Sequence, residues 1–261
     1  MHQTTLTITH KTLLSPAWWQ INLESPKLAE QLAPGQFLLV QCTDPFTAYL
    51  RRPVFPMLIG SDQLALLLRP SSDAGLAWLL TRQVGDTLNV IGPLGQGFPK
   101  PTEEQHVCLI SDSPALEPLL GQMQIALHNG SVVTMALQAS RASRLYPISI
   151  LPIAVELHVA TLDGSMGQRG RLTPLLPDLL HWADVVYATG TMSFLHQLNQ
   201  QATEIRLGHH TQFLYGLWPQ QLFGCGLGAC LSCVLPTKHG LKRACADGPV
   251  FDLGSVMTMS L

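Results

Sequence analysis

The sequence predicts a small antiparallel β-barrel, then a parallel α/β domain, then a terminal cysteine-rich segment. Three observations lead there. The first hundred residues break into short apolar stretches divided by turn pairs such as Pro34-Gly35 and Ser61-Asp62. From His106 onward, compact apolar strands alternate with helix-like stretches. Near the end, CGLGACLSC puts three of the six cysteines between Cys225 and Cys233, and Cys245 follows in KRACADGPVF. At 261 residues the chain has room for two or three packed units.

In the first part, TTLTITHKTLL, WWQINLE, GQFLLVQC, PVFPMLI, QLALLLRP and DTLNVIG read as strands, with a further break at Val84-Gly85-Asp86. Their spacing is that of an antiparallel barrel. AGLAWLLT, Ala74 to Thr81, is its one helix, and GPLGQGFP, Gly92 to Pro99, is a glycine-rich turn leaving it. HVCLI, EPLLGQMQIALH and SVVTMALQA then run strand, helix, strand, the order of a parallel α/β unit. VELHVATLDGS, LTPLLPDLL, ADVVYATG and FLHQLNQQA extend it as a Rossmann-like domain. After Gly216 regular signals stop. The expected divisions are 1–101, 102–216 and 217–261, with no internal repeat or low-complexity tract.

Composition narrows the partners. A net charge of -2 with 12% charged residues gives no basic patch, which argues against nucleic acid. The 46% hydrophobic content fits large cores or an apolar face covered by another subunit. No run approaches the roughly 20 apolar residues of a membrane helix, since even ISILPIAVELHVA is cut by Pro152, Glu156 and His158. MHQTTLTITHKTLL lacks the pattern of a secretory signal, so the expected location is cytoplasmic. In that reducing setting, clustered cysteines bind metal or carry electrons more often than they form structural disulfides.

The cysteines are spaced C-x4-C-x2-C-x11-C over Cys225, Cys230, Cys233 and Cys245. Two-iron clusters need four thiolates, and C-x4-C-x2-C with a remote fourth cysteine is the plant-type pattern. Gly224, Gly226, Gly228 and Ala229 leave the backbone free to fold tightly and aim amides at sulfur. Structural zinc and a disulfide pair stay open as alternatives, although zinc usually takes two C-x2-C-like pairs. Cys42 and Cys108, on apolar strands, read as core thiols.

A two-iron cluster carries one electron and cannot accept a hydride, so a cofactor that splits electron pairs, a flavin, is expected beside it. YLRRPVFP, Tyr49 to Pro56, is the candidate site. An arginine at a strand end neutralises a flavin pyrophosphate, and Pro53 stiffens the backbone along the ring. By themselves, two adjacent arginines are more often a solvated strand end.

LRRPV, then GPLGQGF, then the C-x4-C-x2-C tail ending in CADGPVF occur in one order. Together they resemble the electron-transfer subunit of class 1B dihydroorotate dehydrogenase, in the ferredoxin reductase-like superfamily. TLDGSMGQRG, Thr161 to Gly170, is similar to that family's TDDGSxGxxG stretch. The resemblance implies an FAD-binding barrel, a nicotinamide-dinucleotide-type α/β domain and a [2Fe-2S] segment. It implies a partner too: an FMN-containing catalytic subunit that oxidises dihydroorotate to orotate in pyrimidine biosynthesis, in a heterotetramer of two plus two. Electrons would run from FMN through the cluster to FAD and then to NAD. Carried over by motif, Arg52, Pro53, Val54 and Phe55 take the family's RPxS position, with Arg52 on the pyrophosphate. Leu68, Arg69 and Pro70 match a middle flavin-contacting strand, and Gly75 with Leu76 the Gly-Thr position. Cys225, Cys230, Cys233 and Cys245 would ligate iron.

The chain departs from this family at several of these positions. Phe55 stands for Ser and Leu76 for Thr, each removing a flavin hydrogen bond worth about 1 kcal/mol. Where a GGGIGxxP-like loop is expected, the chain has ISDSPALEP, Ile110 to Pro118, retaining only Pro118. The missing glycines let amides approach a pyrophosphate, whereas Asp112 and Glu117 set carboxylates near it. Each such pair costs up to a few kcal/mol. The family's Cys-Gly-Pro becomes Thr189, Gly190 and Thr191. NAD binding is therefore expected to be lost, and the electron acceptor to be something else.

Blander readings cover the remaining features. His209-His210 lacks ligand-spaced neighbours and reads as an exposed loop, and Asp-Gly-Ser in TLDGSMG is also a common turn. Trp18, Trp19 and Trp218 read as core or interface aromatics, and Met257 and Met259 as a terminus that packs on a partner or is unordered. Two rival functions stay open: the flavin and iron-sulfur subunit of a ferredoxin:NADP oxidoreductase or sulfhydrogenase complex, and a non-catalytic zinc-holding structural or regulatory subunit.

Overall fold

In the computed structural model, residues 2–42, 49–59, 62–112, 115–205, 213–218 and 223–256 are described. His209-His210, Met257, Met259 and the Ser113-Pro114 part of ISDSPALEP lie outside them. The barrel half is one seven-stranded sheet built from His2–Ser15 (β1), Trp18–Glu24 (β2), Phe37–Val40 (β3), Arg52–Val54 (β4), Met57–Ile59 (β5), Gln63–Leu68 (β6) and Thr87–Leu94 (β7). Its order is β4-β3-β7-β1-β2-β6-β5, with antiparallel pairing throughout. The period-2 pattern shows in β7, where buried and more exposed residues alternate along the strand. PVFPMLI divides into β4 and β5, the two sheet edges, at Phe55-Pro56, where proline cannot donate to a ladder. A short helix, Pro26–Ala29 (α1), and the expected Ala74–Thr81 (α2) complete this half.

The second half is a parallel sheet of His106–Ser111 (β8), Val132–Ala139 (β9), Val155–Thr161 (β10), Gln168–Arg169 (β11), Val185–Thr189 (β12) and Leu214–Leu217 (β13). Helices Glu117–His128 (α3), Leu176–Trp182 (α4) and Met192–Ile205 (α5) lie between its strands in sequence. Central β8 is buried at every position but its first, as a strand covered on both faces must be. The order is β11-β10-β9-β8-β12-β13, with Val250–Asp252 (β16) beyond β13, so the winding reverses between β8 and β12. In open α/β sheets that reversal opens a crevice at the carboxyl ends of the strands.

The cysteine-rich segment holds more regular structure than its sequence suggests. It leaves the sheet after β13, forms a hairpin of Val234–Thr237 (β14) and Gly240–Arg243 (β15), and turns through Ala244–Asp247 (α6). It then returns as Val250–Asp252 (β16), antiparallel to β13. Strands of three or four residues, one holding Pro236 and one preceded by Pro249, are too short to carry a readable period. One apolar core runs through all three parts, joining Trp18, Phe37 and Phe55 to Tyr187, Trp218 and Phe251, and to Cys233 and Cys245.

Candidate functional site

The four cysteines sit in two pairs. Cys233 and Cys245 are buried, at 2% and 1% exposure, with their sulfurs 3.4 Å apart. Cys225 and Cys230 lie nearer the surface, and the Cys225 amide donates to Cys230 Sγ at 3.4 Å. Amides converge on the sulfurs as the glycine pattern predicts. Leu227, Ala229 and Cys230 donate to Cys225 Sγ at 3.3, 3.3 and 3.4 Å, and Gly228 donates to Cys245 Sγ at 3.1 Å. Bonding to Ser232, and then to Cys225, lowers the Cys230 thiol to about 6. Burial and the adjoining Cys233 sulfur push Cys245 up to about 12, so two thiolates there need a cation between them.

This donor set fits two iron atoms with two thiolates each. Cys42 and Cys108 are buried core thiols, and burial raises both, Cys42 to about 11.

The cysteine loop rests on the barrel. Gly226 has φ +69°, and a Cβ there would lie 2.7 Å from Leu39 Cδ1 on β3, so only glycine allows both the turn and the close approach. Across the ladder Leu39 pairs with Pro53. Phe37 bridges the same gap, with its ring 5.1 Å from Phe223 at the start of the loop and 6.2 Å from Phe55. GPLGQGF also meets the segment, through Gln96 N–H and the Gly248 carbonyl at 2.5 Å.

Behind Pro53 lies a cavity of about 490 Å³ between barrel and α/β domain. It is lined by Pro53, Val54, Phe55, Leu68, Arg69, Pro70 and Leu76 from the barrel side, and by Asp112, Glu117, Thr191 and Trp218 from the other. The structure thus brings seven of the nine expected flavin contacts together. The indole N–H of Trp218 is buried without a hydrogen-bond partner among the described residues, in a wall that a polar heteroaromatic ring would fit.

Arg52 and Gly75 sit outside the cavity lining, against each other. A Cβ on Gly75 would lie 2.7 Å from Arg52 Cγ. Arg52 Nε donates to both carboxylate oxygens of Asp73 at 2.9 Å, and Asp73 also caps α2 by accepting from the Leu76 amide at 3.0 Å. Burial works to raise the Asp73 carboxyl, but the bonds from Arg52 and Leu76 outweigh it and hold it low. The available signal for Asp73 was its place just before a helical run, the usual position of a capping acid.

The crevice between β8 and β12 is bridged. Asp112 Oδ1 accepts from the Thr191 amide at 2.8 Å and Oδ2 from the Thr191 hydroxyl at 2.9 Å. Below them the Thr189 hydroxyl donates to Ser111 Oγ at 2.8 Å. Where a pyrophosphate would need free amides, a carboxylate holds one of them at the start of α5. Glu117, expected to set a second carboxylate near that pyrophosphate position, is instead buried, at 8% exposure. Burial pushes it up to about 8, although its own helix amides, Arg69 and the Leu67 amide pull it down.

Comparison with known proteins places these features together. Residues 220–257 match the family model described as the iron-sulfur cluster binding domain of dihydroorotate dehydrogenase B. The electron transfer subunit of dihydroorotate dehydrogenase B (NAD(+)) from Shouchella clausii is 31% identical over 261 residues, covering 97% of each chain. That from Desulforamulus reducens is 29% identical over 248 residues, covering 92% of each. Among solved structures, a chain of an NADH-dependent reduced ferredoxin-NADP oxidoreductase superposes with TM-score 0.77 at 21% identity, covering 97% of this chain and 89% of that one. A ferredoxin NADP+ reductase from Neisseria gonorrhoeae gives 0.64 at 15%, covering 82% and 97%.

Barrel, parallel sheet and cysteine loop define an electron-transfer oxidoreductase of the ferredoxin reductase-like fold. Within that class, the chain belongs to the family of dihydroorotate dehydrogenase B electron transfer subunits.

Proposed function

We propose that the chain carries FAD and a [2Fe-2S] cluster and passes electrons from an FMN-containing dihydroorotate dehydrogenase catalytic subunit, in pyrimidine biosynthesis, to an acceptor other than NAD. The observation that carries this reading is the pairing of the four cysteines on a loop that touches, through Leu39 and Phe37, the wall of a flavin-sized cavity. When bound, the cluster supplies single-electron transfer, and FAD supplies exchange between single electrons and pairs.

Cys225 with Cys230, and Cys233 with Cys245, are the ligands in this reading. Pro53, Val54, Phe55, Leu68, Arg69, Pro70 and Leu76 hold the flavin ring. Arg52 turns from Asp73 to the flavin diphosphate, and Gly75 leaves it room. Residues 1–101, 102–216 and 217–261 are the corresponding functional divisions. Among the described residues no helix is long and apolar enough to cross a membrane. The reading is completed by a cytoplasmic complex with two copies of each subunit.

The catalytic subunit docks over Leu227 and Leu231, which flank the exposed Cys230 and are 44% and 61% exposed. Leu231 holds φ 59°, a strained position for a leucine. Asp112 on Thr191 is the feature that argues against NAD.

Anaerobic purification with the FMN subunit, followed by flavin and iron analysis and dihydroorotate oxidation with NAD or an artificial acceptor, tests the reading. A colourless zinc protein would sink it. Rapid flavin reduction by micromolar NADH would overturn the acceptor assignment alone, and stable association with a hydrogenase or glutamate synthase-like subunit would overturn the partner.

A further inference from the structure

A hydride brings its proton-equivalent with the electron pair, whereas an iron-sulfur cluster brings electrons alone. If electrons reach the cavity only through the cysteine loop, a proton needs its own source, because net negative charge is costly in a low-dielectric site. Three ionisable side chains line the cavity among the described residues: Asp112, Arg69 and Glu117. Both oxygens of Asp112 are held by Thr191. Arg69 stays charged, with its guanidinium 5.1 Å from the centre of the Trp18 ring.

Glu117 remains. It is nine-tenths buried and forms no ion pair within 4 Å among the described residues. The groups that face it are Arg69 at the end of β6, Tyr146 beyond β9, and the amides of Leu67, Leu116 and Glu117 itself. The charge of Arg144 in turn acts on Arg69. Its carboxyl is held largely protonated at neutral pH, with burial the chief cause.

We propose that Glu117 is the proton donor for flavin reduction through the cluster, a role that rests on FAD occupying this cavity. Two electrons arrive one at a time from the cluster, itself reduced at the expense of the dihydroorotate-oxidising subunit. The Glu117 O–H bond breaks and its proton passes to a ring nitrogen. The flavin is thereby reduced by two electrons with one proton bound, and the carboxylate left behind takes a replacement proton from water. Reoxidation by a one-electron acceptor runs the same steps backwards. No hydride donor enters the balance.

The test uses holoprotein carrying FAD and cluster. The flavin midpoint potential of the native protein is expected to change slope with pH near 8, and Glu117→Gln to abolish that break. At pH 7 the same variant should slow flavin reduction by the photoreduced cluster on the order of a hundredfold. Its flavin content and cluster spectrum should stay native, and Glu117→Asp should recover part of the rate. Should Glu117→Gln fail to fold, redox-triggered infrared difference spectra of the native holoprotein still decide, because a protonated-carboxyl band must shift on flavin reduction. An unaltered break and rate in Glu117→Gln, or no carboxyl band in the native spectra, overturns the proposal while leaving the FAD and cluster reading standing. Absence of FAD from the purified protein would instead remove that reading, and this one with it.

Discussion

Gly226 and Leu39 make one of the contacts between the cysteine loop and the barrel, and Leu39 is also the ladder partner of Pro53 in the cavity wall. One residue therefore links the cysteine loop to the strand that carries Pro53. Gly226→Ala adds a methyl at positive φ, at about 1–2 kcal/mol, and drives it onto Leu39. We expect a lower melting temperature and slower electron exchange between cluster and flavin. Leu39→Ala in the same chain should relieve the steric part of that loss but not the backbone part, which a double-mutant cycle measures.

The cysteine pairs should differ in what they cost. Replacing any one of the four by serine is expected to remove the cluster absorption. Cys233→Ser and Cys245→Ser should also lower thermal stability by about 1–3 kcal/mol, since each buries a hydroxyl in an apolar core. Cys225→Ser and Cys230→Ser, nearer the surface, should cost far less. Iron content and melting curves of the four variants check the distinction.

Asp112→Gly frees the Thr191 amide and removes a carboxylate from the crevice. NADH should then bind at least about fivefold more tightly than to the native chain, as expected for one relieved charge pair near 1–4 kcal/mol. Losing the bonds to Thr191 should cost about 1 kcal/mol of stability. NADH titration under anaerobic conditions, followed through the flavin absorbance, reports the first effect, and thermal melting the second.

In the proposed reading, Asp73 competes with the flavin diphosphate for Arg52. Asp73→Asn should tighten FAD binding several-fold, because the guanidinium is released while the helix cap survives. The acid limb of the apoprotein's stability changes as well. A carboxyl held low contributes stability above its unfolded pKa of about 4, lost as pH falls through the lower folded value. Asp73→Asn should therefore flatten the loss below pH about 4. Flavin fluorescence titrations and urea melts at graded pH measure the two effects.

Leu231 is exposed and strained beside Cys230. Leu231→Gly should stabilise the isolated subunit by about 1 kcal/mol and weaken its association with the FMN subunit. Opposite signs in melting temperature and complex affinity would separate docking from folding.

Much of this is legible in the sequence, because the signals are local. The run of apolar residues in AGLAWLLT and EPLLGQMQIALH fixes both helices to the residue. The cysteine spacing carries its own chemistry. What stayed hidden depends on distant approach. Nothing near Leu39 in sequence announces Gly226, and nothing in ISDSPALEP says that Asp112 reaches Thr191 while Glu117 is buried in the lining of the cavity. β16 was missed for a similar reason, since a strand of three residues acquires its identity only from β13.

The return of β16 to the outer flank of β13 makes the cysteine segment a detour within one sheet. Damage by oxygen would then not stay where it starts. If loss of iron loosened the detour enough to peel β16 away, the amides and carbonyls of Leu214–Leu217 would lie open as an adhesive flank, ready to recruit another chain. Oxidative inactivation of this protein should thus be followed by self-association, with the last strand acting as the seal.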